Sequence, residues 1–228
     1  MFKRWRHRRR CRALSKQCRQ KSLSRYMTEC AEIGVDKLVN TPLISVDLEL
    51  TGLDARQNQI ISIGWTHVDR GRIDFASNRH VLISADQSVG HSAAIHEMLD
   101  QDVARGVPLE TGLQALFEAA LGRVWLFHHA SLDVAFLQKA CMSWAGVKPP
   151  FTVLDTMQME LMMRKRRGIP LQNGDLRLNK LRTGYNLPQY MAHNALIDAC
   201  ATAELLLAIA ARMDPAESLK LSPYLKYV

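Results

Sequence analysis

An α/β fold built on one mixed sheet is what this chain predicts, from three observations. Strand-like runs come first, between residues 43 and 84, and alternating helical and strand-like segments follow from residue 108. The links between the early runs are short enough for an antiparallel meander, while the later links contain helices, as parallel pairing needs. At 228 residues the chain is long enough for one ordinary domain with appendages and a real core. Lacking any run of about 18 apolar residues, it is expected not to span a membrane.

The first three strands are LISVDLEL (43–50), QIISIGWTHVD (59–69) and a run near RHVLIS (79–84), separated by the turn-like TGLDARQN and RGRID. PLETGLQALFEAALG has helical spacing and ends at Gly122. RVWLFHH is then a buried strand by its apolar run, and SLDVAFLQKACMSWAG an amphipathic helix. FTVLDT adds a short strand, followed by a helix closing on RKRRG. After a polar link with Gly174 and a segment near LRLNKLRTGY comes the last long helix, ALIDACATAELLLAIAARM. The order predicts helices on both faces of the sheet.

The formal net charge of +8 is unevenly placed. Residues 1–25 hold eleven Lys/Arg and no Asp or Glu, which leaves the other 203 residues with 19 basic and 22 acidic groups. Residues 1–40 therefore read as a basic N-terminal extension, with too few apolar residues in regular order to make a core, although part of 14–34 has helical character. Residues 41–213 form the expected main domain and 214–228 a short tail. A polybasic arm attracts polyanions through a salt-sensitive, sequence-blind attraction. It also fits a docking element, a solvated silent extension, or the Arg-rich start of an organelle transit segment. No apolar stretch of the secretory kind follows it. Five cysteines without a C-x-x-C pair (Cys11, Cys18, Cys30, Cys141, Cys200) point to free thiols in a reducing, cytoplasmic setting and away from a zinc site.

Acidic side chains recur where elements end. Asp47 and Glu49 lie two apart on a strand and share one face. Two such carboxylates repel unless a cation sits between them, although a solvated strand face shows the same alternation. Asp133 falls in the first turn of a helix, where an acid also complements the helix dipole. Asp198 is placed similarly, and His193 lies in the loop before it. Asp155 has the position of a helix N-cap. Four carboxylates and one imidazole at element ends match what phosphodiester hydrolysis with two hard divalent cations requires.

These stretches, ISVDLELTGLD, HHASLDVAFL and HNALIDACATAEL, resemble the three motifs of the DEDDh family of 3′→5′ exonucleases. That family includes the proofreading subunit of bacterial replicative DNA polymerase, ribonuclease T and oligoribonuclease. The resemblance spans roughly residues 42–212 and implies a ribonuclease H-like fold. It further implies that Asp47, Glu49, Asp133 and Asp198 bind two Mg²⁺ or Mn²⁺ ions, with Glu49 near the attacking water and His193 as general base. An ordinary imidazole titrates at about 6.5, suitable for that role. Thr51, Gly52, Leu53 and His128 would meet the 3′-terminal nucleotide, His128 more by packing and positioning than as a ligand. Leu50, His129 and Leu132 stand where the family often has Thr, Asn and Phe, without removing a ligand or the base.

The expected activity is release of nucleoside 5′-monophosphates from 3′ ends of mainly single-stranded DNA. DNA is favoured over RNA as the partner. RNA ends or short oligoribonucleotides are the alternative within the same chemistry. A polymerase-associated or nucleic-acid-binding accessory role, with the arm docking on the polymerase, is the alternative outside it. Arg164 to Arg167, extended by Lys180 and Arg182, could form a phosphate track, and Trp5 and Tyr26 could stack on bases.

Overall fold

The computed structural model describes residues 2–84, 106–191, 193–214, 216 and 219–228. Six strands among these residues form one sheet: β1 (Leu43–Leu50), β2 (Ile60–Asp69), β3 (Arg72–Leu82), β4 (Val124–Phe127), β5 (Thr152–Asp155) and β6 (Lys226–Tyr227). Their spatial order is β3-β2-β1-β4-β5-β6. The β1–β2, β2–β3 and β5–β6 pairs are antiparallel, whereas β1–β4 and β4–β5 are parallel. Seven helices accompany them: α1 (Phe2–Ser15), α2 (Lys21–Glu32), α3 (Leu109–Ala119), α4 (Ala130–Ala145), α5 (Thr156–Arg166), α6 (Leu178–Gly184) and α7 (Ala195–Met213).

The strand period of two sorts side chains onto the two faces. Ile44, Val46 and Leu48 of β1, Trp125 and Phe127 of β4 and Val153 of β5 pack in one cluster with α2, α3 and α4. Leu43, Val124, Leu126 and Leu154 point the other way, into a cluster with α5, α6 and α7. The central strands are thus apolar on both sides, which is why they read as continuous hydrophobic runs. Helices on both faces follow, as expected.

Three features differ from the sequence reading. β3 begins at Arg72, earlier than the run near RHVLIS, because Arg70 (φ 54°) and Gly71 (φ 70°) make a tight turn that lets Arg72 pair back with Asp69. Left-handed residues at a two-residue turn match the twist of the strands they join. Residues 1–40 also contribute to the core. Leu23, Tyr26, Met27, Cys30 and Ala31 are all buried, and their spacing puts them on a single stripe of α2. The buried Tyr26 hydroxyl donates to the Pro150 carbonyl (3.1 Å) and accepts from Trp125 Nε1 (3.0 Å), so it is not available to stack on a base. Finally, the segment after residue 213 is more than a tail. Leu219 and Leu221 are buried, and β6 completes the sheet edge against β5.

Candidate active site

The site is assembled at the carboxyl end of β1, where strand order reverses between antiparallel and parallel neighbours. Leu43, Ser45, Asp47 and Glu49 alternate toward α7, and the Ser45 hydroxyl donates to the Ala199 carbonyl across that interface (2.7 Å). A register shift between Glu49 and Leu50 ends the regular pairing just beyond the acids.

Gly64 makes the approach of α7 feasible. It pairs with Asp47 on the neighbouring strand, and a Cβ there would lie 2.1 Å from the Ala195 carbonyl carbon and 2.2 Å from the Leu196 nitrogen. Only a residue without a side chain lets the first turn of α7 rest on the sheet at this point. Asn194 caps that helix, accepting from the Leu196 and Ile197 amides (both 3.1 Å). Asp198, one turn in, accepts from the His193 amide at 2.9 Å. His193 has φ 70°, and this left-handed bend turns the chain into the helix.

Asp133 arrives from the other side. β4 runs into His129, which adopts φ 73° and ψ 50°, and α4 starts at the next residue. The buried carboxylate of Asp155 holds this junction. It accepts from the His129 and Ala130 amides (3.2 and 3.1 Å) and from the Met157 and Gln158 amides (3.0 and 3.3 Å). One acid therefore fastens the first turns of α4 and α5, wider use than the single N-cap the sequence suggested.

Asp47, Glu49 and Asp198 come together, each offering a carboxylate oxygen within 4.8 Å of the others. Asp133 stands outside that trio, buried in the first turn of α4, but its charge reaches Asp47. Burial first, and then the charges of Asp133, Asp198 and Glu49, drive the Asp47 carboxyl well above the usual carboxylate range. Glu49 is pushed up to about 7, by burial and then by Asp198, with His193 opposing. Burial likewise raises Asp133 and Asp198. Crowded carboxylates that cannot all ionise are relieved by a cation among them, and an all-oxygen donor set suits a hard divalent ion. The residues present therefore fit such a metal.

The acids open into a cleft of about 560 Å³, whose walls include His193, Gly52 and Leu53. Leu53 is 79% exposed at the lip. Thr51 is not part of that wall. Its hydroxyl donates to Asn58 (3.3 Å) and accepts from the Gln59 amide (3.0 Å), which holds the turn carrying Gly52 and Leu53. His128 lines the cleft with both ring nitrogens engaged internally, Nε2 with the Leu176 carbonyl and Nδ1 with the Thr156 hydroxyl (2.8 Å each). Burial lowers its pKa, which disfavours the charged ring.

The expected phosphate track needs correction. Arg164 is committed to Glu160 (2.8 Å) and Asp175 (3.2 Å), and with Arg167 it lines a separate cavity. Arg182 is 2% exposed and works as an internal clamp. It pairs with Glu204 (2.7 Å), donates to the Ala201 and Pro188 carbonyls, and lies over the Tyr190 ring. The cation on the exposed cleft rim is Arg177, which precedes α6. Its lone position gave no signal in the sequence, and Gly64, inside an apolar run, gave only the general hint that a strand glycine marks close backbone approach.

Comparison with known proteins agrees with this geometry. A family model described as "Exonuclease" (RNase_T) matches residues 44–206. The chain belongs to the exonuclease family. It is accordingly an enzyme of the nuclease class. The 3′-5′ exonuclease DinG of Staphylococcus haemolyticus is 26% identical over 195 residues, which is 82% of this chain and 21% of that protein. The PolC-type DNA polymerase III of Caldanaerobacter subterraneus is 26% identical over 162 residues, 71% of this chain and 11% of that one. The chain thus spans about a fifth or less of these relatives. Among solved structures, E. coli Exonuclease I in complex with a dT13 oligonucleotide superimposes with a TM-score of 0.60 at 13% identity, covering 76% of this chain and 42% of that one. Exonuclease X in complex with 5′ overhanging duplex DNA gives 0.54 at 22% identity, covering 78% and 97%. The fold is therefore that of the ribonuclease H-like exonucleases. No helix among the described residues is long and apolar enough to cross a membrane.

Proposed function

We propose that this exonuclease removes nucleotides from the 3′ ends of single-stranded DNA, using Asp47, Glu49, Asp133 and Asp198 to hold two divalent cations, Mg²⁺ or Mn²⁺. The observation that carries this reading is the trio Asp47, Glu49 and Asp198, with oxygens within 4.8 Å at the wall of a cleft. When bound, the cations would neutralise the phosphodiester and acidify the attacking water.

The chain's own residues supply the rest. Asp47 and Asp198 are presented on rigid elements, a central strand and a capped helix, which limits the reorganisation needed when ligands bind. His193 is the general base, its backbone tied to Asp198 and its ring free to turn toward the water beside Glu49. Leu53 at the lip offers an apolar surface to the terminal base, and the Gly52 backbone can approach the sugar. Arg177 would meet a phosphate of the incoming strand and offset the acidity of the cleft. The outer face of α1, with Phe2, Trp5, Lys3, Arg6 and Arg9 exposed, remains the candidate for docking a polymerase or a longer strand. DNA is preferred as substrate because the relatives include PolC-type DNA polymerases III.

Matched DNA and RNA oligonucleotides, labelled at either end and incubated with and without Mg²⁺ or Mn²⁺, test each part. Metal-dependent shortening from the 3′ end, faster on single-stranded DNA, is the expected result. Intact oligonucleotides under every condition would end the proposal, and faster loss of RNA would transfer it to oligoribonucleotides.

A further inference from the structure

A second group of metal-ligating side chains lies far from the acids, under the N-terminal helices. His7, Cys11 and Cys30 each offer a ligand atom, all within 4.8 Å of one another, and all three residues are buried. His7 and Cys11 are four apart on α1 and so share one face, while Cys30 faces them from α2. His7 Nε2 is 3.5 Å from Cys30 Sγ. The Thr152 hydroxyl of β5 closes another side, 3.1 Å from Nε2 and 3.8 Å from Cys30 Sγ.

Hydrogen bonding accounts poorly for this arrangement. A single ring nitrogen meets the Cys30 sulfur and the Thr152 hydroxyl, and thiols are weak donors and weak acceptors. Tetrahedral zinc, with a thiolate at about 2.3 Å and an imidazole nitrogen at about 2.0 Å, separates two such donors by roughly 3.6 Å. The His7–Cys30 distance matches that spacing. Nitrogen and thiolate donors together select zinc over the hard cations expected at the cleft.

The composition of α1 supplies an independent reason. Seven of its 14 residues are Lys or Arg, and His7 and Cys11 are its only buried residues. Surface ion pairs, such as Arg8 and Arg12 with Glu32, add little to docking. A helix this basic has little apolar surface to bury, and apart from Leu14, which packs at the edge of the core, its buried attachment is made by the two residues that face Cys30.

We propose that His7, Cys11 and Cys30, with the Thr152 hydroxyl as the fourth neighbour, form a structural zinc site that pins α1 to α2 and the sheet edge. The C-x-x-C spacing that signals zinc in a sequence is absent because the ligands come from separate segments. The proposal stands apart from the exonuclease reading.

Zinc content of the full chain, purified with reductant and dialysed against metal-free buffer without chelator, tests it. About one zinc per chain should remain, because its binding free energy is part of the folding free energy. Cys11→Ser and Cys30→Ser should each lose it, while Asp47→Asn and Cys141→Ser should keep it. Cobalt-exchanged protein should show thiolate-to-cobalt charge transfer, a readout on the unaltered chain should the serine variants fail to fold. Absence of retained metal and of that band, retention in Cys30→Ser, or a Cys11–Cys30 disulfide in protein prepared without air would each overturn the proposal.

Discussion

The acid cluster at the end of β1 opens into a cleft of about 560 Å³, while the His7–Cys11–Cys30 group is sealed beneath two helices. One offers carboxylate oxygens, half-buried and within reach of solvent; the other offers sulfur and nitrogen in a dry core. A site that works on a polymer must admit substrate and water, so its ligands stay partly hydrated and their mutual repulsion persists until cations arrive. A site that only holds helices together can exclude water altogether. Access, not only ligand type, separates the two.

The largest effect expected at the cleft is from Asp47→Asn, which removes a charge and keeps the shape. Metal-dependent hydrolysis should fall below detection while circular dichroism stays unchanged. His193→Ala should cost about 10²–10⁴-fold in kcat, the range for a lost general base. An alanine variant that retains full activity across pH would remove His193 from that role. Neither change should alter any metal held under α1.

Next in size is Gly64→Ala. The added Cβ meets Ala195 and Leu196 backbone, which cannot rotate away, so α7 must shift. Overpacking of this kind costs about 1–3 kcal/mol, and the shift should carry Asp198 away from Asp47. Lower thermal stability together with weakened Mg²⁺ dependence is expected. Unchanged activity would mean that α7 has freedom the packing does not suggest.

The crowded acids make stability depend on pH. Glu49, at about 7, and the likewise raised Asp47, Asp133 and Asp198 hold protons in the folded chain that the unfolded chain releases. In metal-free protein the contribution of these four groups to stability should therefore be fully present below the ordinary carboxylate range and be lost as pH climbs through about 7. Adding Mg²⁺ or Mn²⁺ should restore it most at the alkaline end, by about 2.7 kcal/mol at a hundred times Kd. A thermal midpoint with the same pH dependence in Glu49→Gln as in the unaltered chain would show that Glu49 holds no such proton.

Much of this organisation could be read from the residues. β1 and α7 occupy 43–50 and 195–213, where alternation and helical spacing placed them, because each carries one unbroken pattern between clear breakers. Asp47 and Glu49 fall on one face for the same reason. What escaped notice was set by partners distant in the chain. The stripe on α2 is regular, but its residues are interrupted by Arg25, Thr28 and Glu29, and the basic run before it dominates the composition. The two-residue strand β6 gains its identity only from β5. Arg182 looked like a surface cation because nothing nearby in sequence announces Glu204 or the Ala201 carbonyl that bury it.

The smallest effect lies at the junction of β4 and α4. His129 holds a left-handed conformation with its side chain exposed, while its amide donates to Asp155. A left-handed residue with a Cβ costs about 1–2 kcal/mol, and asparagine bears that conformation more readily than most. His129→Asn should return part of this, about 0.5 kcal/mol, and raise the thermal midpoint slightly with cleavage unaltered. Because the ring has little packing to lose and the Asp155 hydrogen bond comes from the amide, destabilisation would mean that the ring makes a stabilising contact of its own. A gain in stability accompanied by faster cleavage would instead show that this turn limits how Asp133 reaches the cations.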